Sequence, residues 1–162
     1  MRGALVWVVW LLSACTRNET LDEAELTPGQ GLGPVRLGMT RAELVQAGLV
    51  VRFDPSGQGG DQASFAGPFT VIFDPSEHVE SVALDLNKVR RGVRVDGIWI
   101  EPRASYERAR EVLGPCEAPR PFEAGTTTSC RGGQLVIEKS QNEHAPLRIR
   151  VLRGDVKPAS AP

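Results

Sequence analysis

Period-two alternation is the feature that most limits what this chain can become. Phe69, Val71 and Phe73 alternate with Thr70 and Asp74, and Val82, Leu84 and Leu86 alternate with Ser81 and Asp85. Further along, Leu135 and Ile137 alternate with Gln134 and Glu138, and Leu147, Ile149 and Val151 with Arg148 and Arg150. A strand projects successive side chains to opposite faces, so each segment fits a half-buried strand with one face on a core.

Two helices interrupt the strands. Thr40-Arg41-Ala42-Glu43 is a capping box, in which the hydroxyl and the carboxylate each take a free backbone N–H of the first turn. That helix is expected to stop at Gly48. A second opens at Ser105, lays Tyr106, Ala109, Val112 and Leu113 on one face and ends at Gly114-Pro115. Its other face is charged, with Glu107, Arg108, Arg110 and Glu111. A short strand precedes each helix, Val35–Leu37 in the first case and Gly97–Ile100 in the second.

The two halves look alike. Gly48 and Gly114, Phe69 and Leu135, and Val71 and Ile137 are each 66 residues apart, and Leu84 and Ile149 are 65 apart. The expectation is an α+β fold: a tandem repeat of a small unit, each one helix packed on an antiparallel β-meander. The first repeat would span residues 32–92 and the second 93–153. With 162 residues, 41% of them hydrophobic, the chain has room for one ordinary domain or two very small ones. Residues 15–31 are polar, acidic and end in a Pro-Gly turn, so they read as a flexible tether, and 154–162 read as a disordered tail. The net charge of −1 offers no basic balance for nucleic acid.

The amino-terminal 14 residues carry an address. Arg2 supplies a positive start and Ala4–Leu12 is a continuous apolar run, too short for the roughly 18–20 residues that cross a bilayer. Leu12-Ser13-Ala14-Cys15 resembles the lipobox of bacterial lipoproteins. That resemblance implies a signal peptide over 1–14 and lipidation of Cys15, with acyl chains holding the protein to a membrane. Thr16 stands where an aspartate would favour inner-membrane retention in Gram-negative relatives, so the outer membrane is the expected destination. Val35-Arg36-Leu37-Gly38-Met39-Thr40-Arg41-Ala42-Glu43-Leu44 resembles the strand, Gly-Met-Thr, helix opening of two groups. These are small envelope lipoproteins related to the β-barrel-assembly accessory factor, and β-lactamase-inhibitor-like domains. The inhibitor family is also similar in being a tandem repeat with disulfide-closed loops.

Candidate chemistry is sparse. Cys116 and Cys130 would close a loop of about 15 residues, for which the chain-entropy treatment gives roughly 3 kcal/mol. A disulfide is expected, against free thiols or a metal site. No C-x-x-C or H-x₃-H spacing supports zinc. His78 and His144 each follow a glutamate and lie 66 residues apart, yet no nucleophile or orienting partner stands near either in sequence. They read as loop residues. A catalytic Cys130 approached by His144 is the less favoured alternative to oxidation. Lys88, Arg90, Arg91 and Arg94 form a basic run, and Arg148, Arg150 and Arg153 a second strip. Both read as solvated strand faces, with lipid headgroups or an acidic partner as the alternative. Trp99 is expected in the core, with a partner contact as the alternative. Ser56–Asp61 lacks the lysine of a phosphate loop.

The sequence therefore points to a non-enzymatic, membrane-anchored envelope lipoprotein that binds or scaffolds another envelope protein, with no catalytic residue, metal or cofactor assigned. The alternative is a protein inhibitor of a secreted or periplasmic enzyme, which would need an exposed concave sheet with aromatic or acidic anchors.

Overall fold

The computed structural model describes residues 20–53 and 63–154. The leader, Cys15, the Ser56–Asp61 segment and residues 155–162 lie outside the described residues. In chain order the elements are β1 (Leu21–Thr27), β2 (Gly31–Leu32), β3 (Val35–Arg36), α1 (Arg41–Gln46), β4 (Val51–Phe53), β5 (Ala63–Ala66), β6 (Phe69–Phe73) and β7 (Val79–Asp85). A 3-10 turn at Leu86–Lys88 leads to β8 (Val89–Val95), β9 (Ile98–Ile100), α2 (Tyr106–Leu113), β10 (Arg120–Phe122), β11 (Gly125–Cys130), β12 (Leu135–Ser140) and β13 (Arg148–Leu152).

The local signals produce the local structure they encode. Thr40 Oγ1 accepts from the Glu43 backbone N–H at 3.3 Å, while the Thr40 N–H donates to Glu43 Oε2 at 2.7 Å. Helix α1 ends one residue before its cap at Ala47, and Gly48 follows with φ of 83°. Ser105 caps α2 by accepting from the Arg108 N–H at 3.1 Å, and Ala109, Val112 and Leu113 are buried. Asp96-Gly97, with φ of 50° and 82°, makes the tight turn between β8 and β9, where a hairpin needs left-handed backbone.

The α+β tandem repeat is not what forms. The described residues are 49% strand and 16% helical, with two helices and two large sheets, not a pair of helix-on-meander units. One sheet has eight strands in the order β10-β11-β12-β13-β7-β6-β5-β4, antiparallel throughout. The second has five, β3-β2-β1-β8-β9, with β1 and β8 parallel at its centre. Strand pairing across the supposed boundary explains the difference. Strands β13 and β7 pair along five residues, from Arg148↔Asp85 to Leu152↔Ser81, because two meanders left apart would each expose an unpaired edge. The boundary expected at 92/93 falls inside β8, and the 15–31 tether is corrected from Leu21 onward, where β1 begins.

Both sheets and both helices close one core. On the inner face of the large sheet, Val71, Val82, Val151, Leu135 and Cys130 form one row across five strands, and all are buried. Against them pack Leu26, Leu32 and Val35 from β1 to β3, Val93, Val95 and Ile100 from β8 and β9, Leu44 from α1 and Leu113 from α2. Gly92 permits the close approach of β8 to β9. A Cβ there would lie 2.2 Å from the Ile100 carbonyl oxygen.

Candidate functional site

With one face of the eight-stranded sheet covered, the other meets solvent. Register determines what it displays. One row reads Phe65, Thr70, Ala83, Arg150, Val136 from β5 to β12, and the next reads Asp85, Arg148, Glu138, Thr127, Arg120 from β7 to β10. Phe65 on β5 and Phe122 on the edge strand β10 line the same groove, of about 900 Å³, so the sheet curls toward its open side. The two rings are 41% and 42% exposed. Large apolar side chains held in solvent at a concave surface are the feature of this face that needs an explanation.

Between them the floor is polar and internally neutralised. Arg148 donates from Nε to Asp85 Oδ1 at 2.7 Å and from Nη2 to Oδ2 at 3.3 Å, a two-pronged pair across neighbouring strands. Arg150 donates from Nε to Glu138 Oε1 at 2.8 Å. The hydrogen bond that Arg148 donates to Asp85 holds its guanidinium above its ordinary pKa. These pairs fix the rotamers of four long side chains, leaving a floor with few moving parts for a binding partner to order.

The residues singled out from sequence fall in several places. Cys116 and Cys130 form the expected disulfide; Cys130 therefore has no thiol, and the catalytic-cysteine alternative is removed. His78 pairs across to Thr40 in an isolated bridge, and its Nδ1 lies 3.8 Å from Asp74 Oδ1, beyond hydrogen-bond reach. Asp74 accepts the backbone N–H groups of His78 and Ser76, and the His78 N–H in particular holds its carboxyl below the usual range. His144 is exposed in the loop before β13 and borders a separate cleft of about 460 Å³ with Arg103, Tyr106 and Lys139. Among the described residues, no group of three or more His, Cys, Asp or Glu side chains is placed to hold a metal ion.

The first basic run turns out to be half of an ion-pair ladder. Arg90, Arg91 and Arg94 meet Asp22, Glu23 and Glu25 at 3.5, 3.4 and 2.7 Å, because parallel pairing of β1 with β8 sets acid beside base. The hydrogen bond to Glu25 also raises the Arg94 pKa. Trp99 is not in the core. It lies half-buried on the outer face of the small sheet, with Arg94 5.6 Å from its ring centre.

Sequence reasoning missed Phe65, Phe122 and Arg131. Alternation would have turned Phe65 inward, whereas Ser64 and Ala66 are the buried residues of that strand and Phe65 is exposed. Arg131 had no local signal, since its role is tertiary: Nε donates to the Leu113 carbonyl at 3.2 Å, its backbone N–H to Pro115 at 2.8 Å, and its Nη1 pairs with Asp96. It thereby ties the end of α2, the disulfide loop and the β8–β9 turn together. No protein family, no curated protein and no solved structure matches the chain.

Proposed function

We propose that this chain is a lipid-anchored, non-enzymatic envelope protein that binds another protein through the open face of its large sheet. The observation that carries the reading is the pair of exposed phenylalanines, Phe65 and Phe122, set around a floor whose arginines are already bound to Asp85 and Glu138. Aromatic anchors around a rigid, desolvatable centre are what concentrate binding energy at protein interfaces. Lipidation of Cys15, from the Leu12-Ser13-Ala14-Cys15 motif, supplies the anchor. A binding role is favoured over catalysis because, among the described residues, neither imidazole hydrogen-bonds to a nucleophile or carboxylate.

The test compares crosslinked complexes of the processed lipoprotein in native membranes. A stoichiometric protein partner is expected with the wild type and is expected to vanish with Phe65→Ala/Phe122→Ala, while Arg94→Ala retains it. Equal recovery with all three proteins would refute the assignment of the face. The same concave face also supports the second reading, inhibition of an extracytoplasmic enzyme, since an exposed concave sheet with aromatic or acidic anchors is what such an inhibitor needs and Phe65 and Phe122 are aromatic. Assays against cell-wall hydrolases and β-lactamases separate the two: only an inhibitor lowers their rates at stoichiometric concentration.

A further inference from the structure

The position of β1 changes what a lipid at Cys15 can do. A tether running to residue 31 would let the domain drift and turn freely. Instead Leu21 already opens the strand at the centre of the small sheet, paired with Val89, so Thr16–Thr20 are all that separates the anchor from the folded body. Six Cα steps reach at most about 20 Å. A body of this size has a radius of gyration of roughly 14 Å, or about 35 Å across. The tether is shorter than the domain, so the end bearing Leu21 stays beside the bilayer and the opposite end does not reach it.

We infer that the protein docks on its membrane through this end, with phospholipid headgroups contacting Lys88 and Arg103; the inference rests on lipidation of Cys15. The Leu86–Lys88 turn immediately precedes Val89, the strand partner of Leu21. Asn87 and Arg103 line one cleft, together with Lys139, His144 and Pro146, and Leu86 donates its N–H to the Leu147 carbonyl. These links place the turn, the segment before α2 and the β12–β13 loop at the same end. The cations divide into two sets. Arg90 and Arg91 are matched by Asp22 and Glu23, whereas among the described residues neither Lys88 nor Arg103 has a carboxylate oxygen within 4.0 Å. Lys88 and Arg103 are therefore free to donate to phosphate oxygens. With acids interspersed, the acyl chains supply the attachment and these contacts supply the orientation. The docking persists in salt, unlike that of a polybasic patch.

One consequence follows for the groove. Pro146 and Ala145 border both the cleft at this end and the groove on the open face. One rim of the groove then lies close to headgroup level, and its protein partner is one held at the same membrane.

The experiment uses the processed full-length lipoprotein in phosphatidylethanolamine/phosphatidylglycerol vesicles, beside a variant with fifteen Gly/Ser residues inserted after Thr16. The insertion lengthens the maximum reach from about 20 to about 70 Å without touching the folded body. Lys88 acylation by a water-soluble amine reagent, read by mass spectrometry, is expected to be several-fold slower with the native tether and to recover in the variant. Trp99 is the only tryptophan left once residues 1–14 are removed, and energy transfer from it to a headgroup-labelled lipid is expected to fall in the variant. Equal Lys88 rates and equal transfer with both tethers would overturn the docking. An intact mass lacking diacylglycerol would instead remove the anchor itself, so the two failures are told apart.

Discussion

The outer faces of the two sheets use the same chemistry to different ends. On the small sheet Arg90 and Asp22 meet with side chains 74% and 78% exposed, on a ladder that water reaches from all sides. On the large sheet Arg150 and Glu138 meet with 20% and 23% exposed, at the bottom of a groove between aromatic walls. The first arrangement neutralises the face of the two central strands; pairs so exposed are screened and contribute little. In the second, water is already partly excluded, so each charge depends on its partner and the geometry is held. Charge alternation alone does not mark a binding face. Curvature and shielding separate a solvated ladder from a preorganised floor.

Four results would break or sharpen that contrast. The largest effect is expected for the groove walls: Phe65→Ala and Phe122→Ala should each weaken the partner by about 2 kcal/mol, roughly thirtyfold in Kd, measured by titration calorimetry once the partner is in hand, with the fold's stability barely altered. A loss of stability matching the loss of affinity would mean the rings serve the fold. Next, Arg150→Ala leaves the Glu138 carboxylate half-buried without its donor and should cost about 2 kcal/mol in urea denaturation. Replacing both with Met and Leu should restore most of it. A third, smaller effect concerns the exposed ladder, where Arg90→Ala should leave the urea midpoint within error and salt should not distinguish it from wild type. If Arg90→Ala and Arg150→Ala destabilise equally, shielding is not what separates the faces.

The smallest effect is set by acid, and it should involve neither face. Glu43 is held below its usual pKa by the Thr40 backbone N–H and then its hydroxyl, and Asp74 chiefly by the His78 N–H. For a carboxylate whose native pKa lies under its unfolded one, the stabilisation is complete above the unfolded value, about 3.9–4.3, and is lost as pH falls through the native value. A stability profile should therefore decline only below about pH 4, and Thr40→Ala and Asp74→Asn should each flatten it. A profile that neither substitution alters would overturn the assignment.

What was legible in the residues follows from the range of the interactions concerned. The Thr40-Glu43 box and the Ser105 cap involve groups three residues apart, and the alternating segments at β6, β7, β12 and β13 announce their buried face within five residues. Strand β1 escaped notice because only Ala24 and Leu26 are buried in it, among acids whose partners lie some 70 positions away. The candidate face was visible only in fragments. Arg148, Arg150, Asp85 and Glu138 stand out as the polar halves of alternating strands, but their pairing, and the wall that Phe122 provides, depend on register and curl.

By itself, the order of amino acids determined the caps of both helices, the inward side of β6, β7, β12 and β13, and that Cys116 would find Cys130. Only the tertiary structure decided that the two meanders share one sheet, that an acidic stretch taken for a leash becomes a central strand, and that two phenylalanines from distant strands line one groove. The physical reason is that capping and alternation are settled by near neighbours, whereas edge pairing and curvature are settled by which distant backbone is free to accept a hydrogen bond.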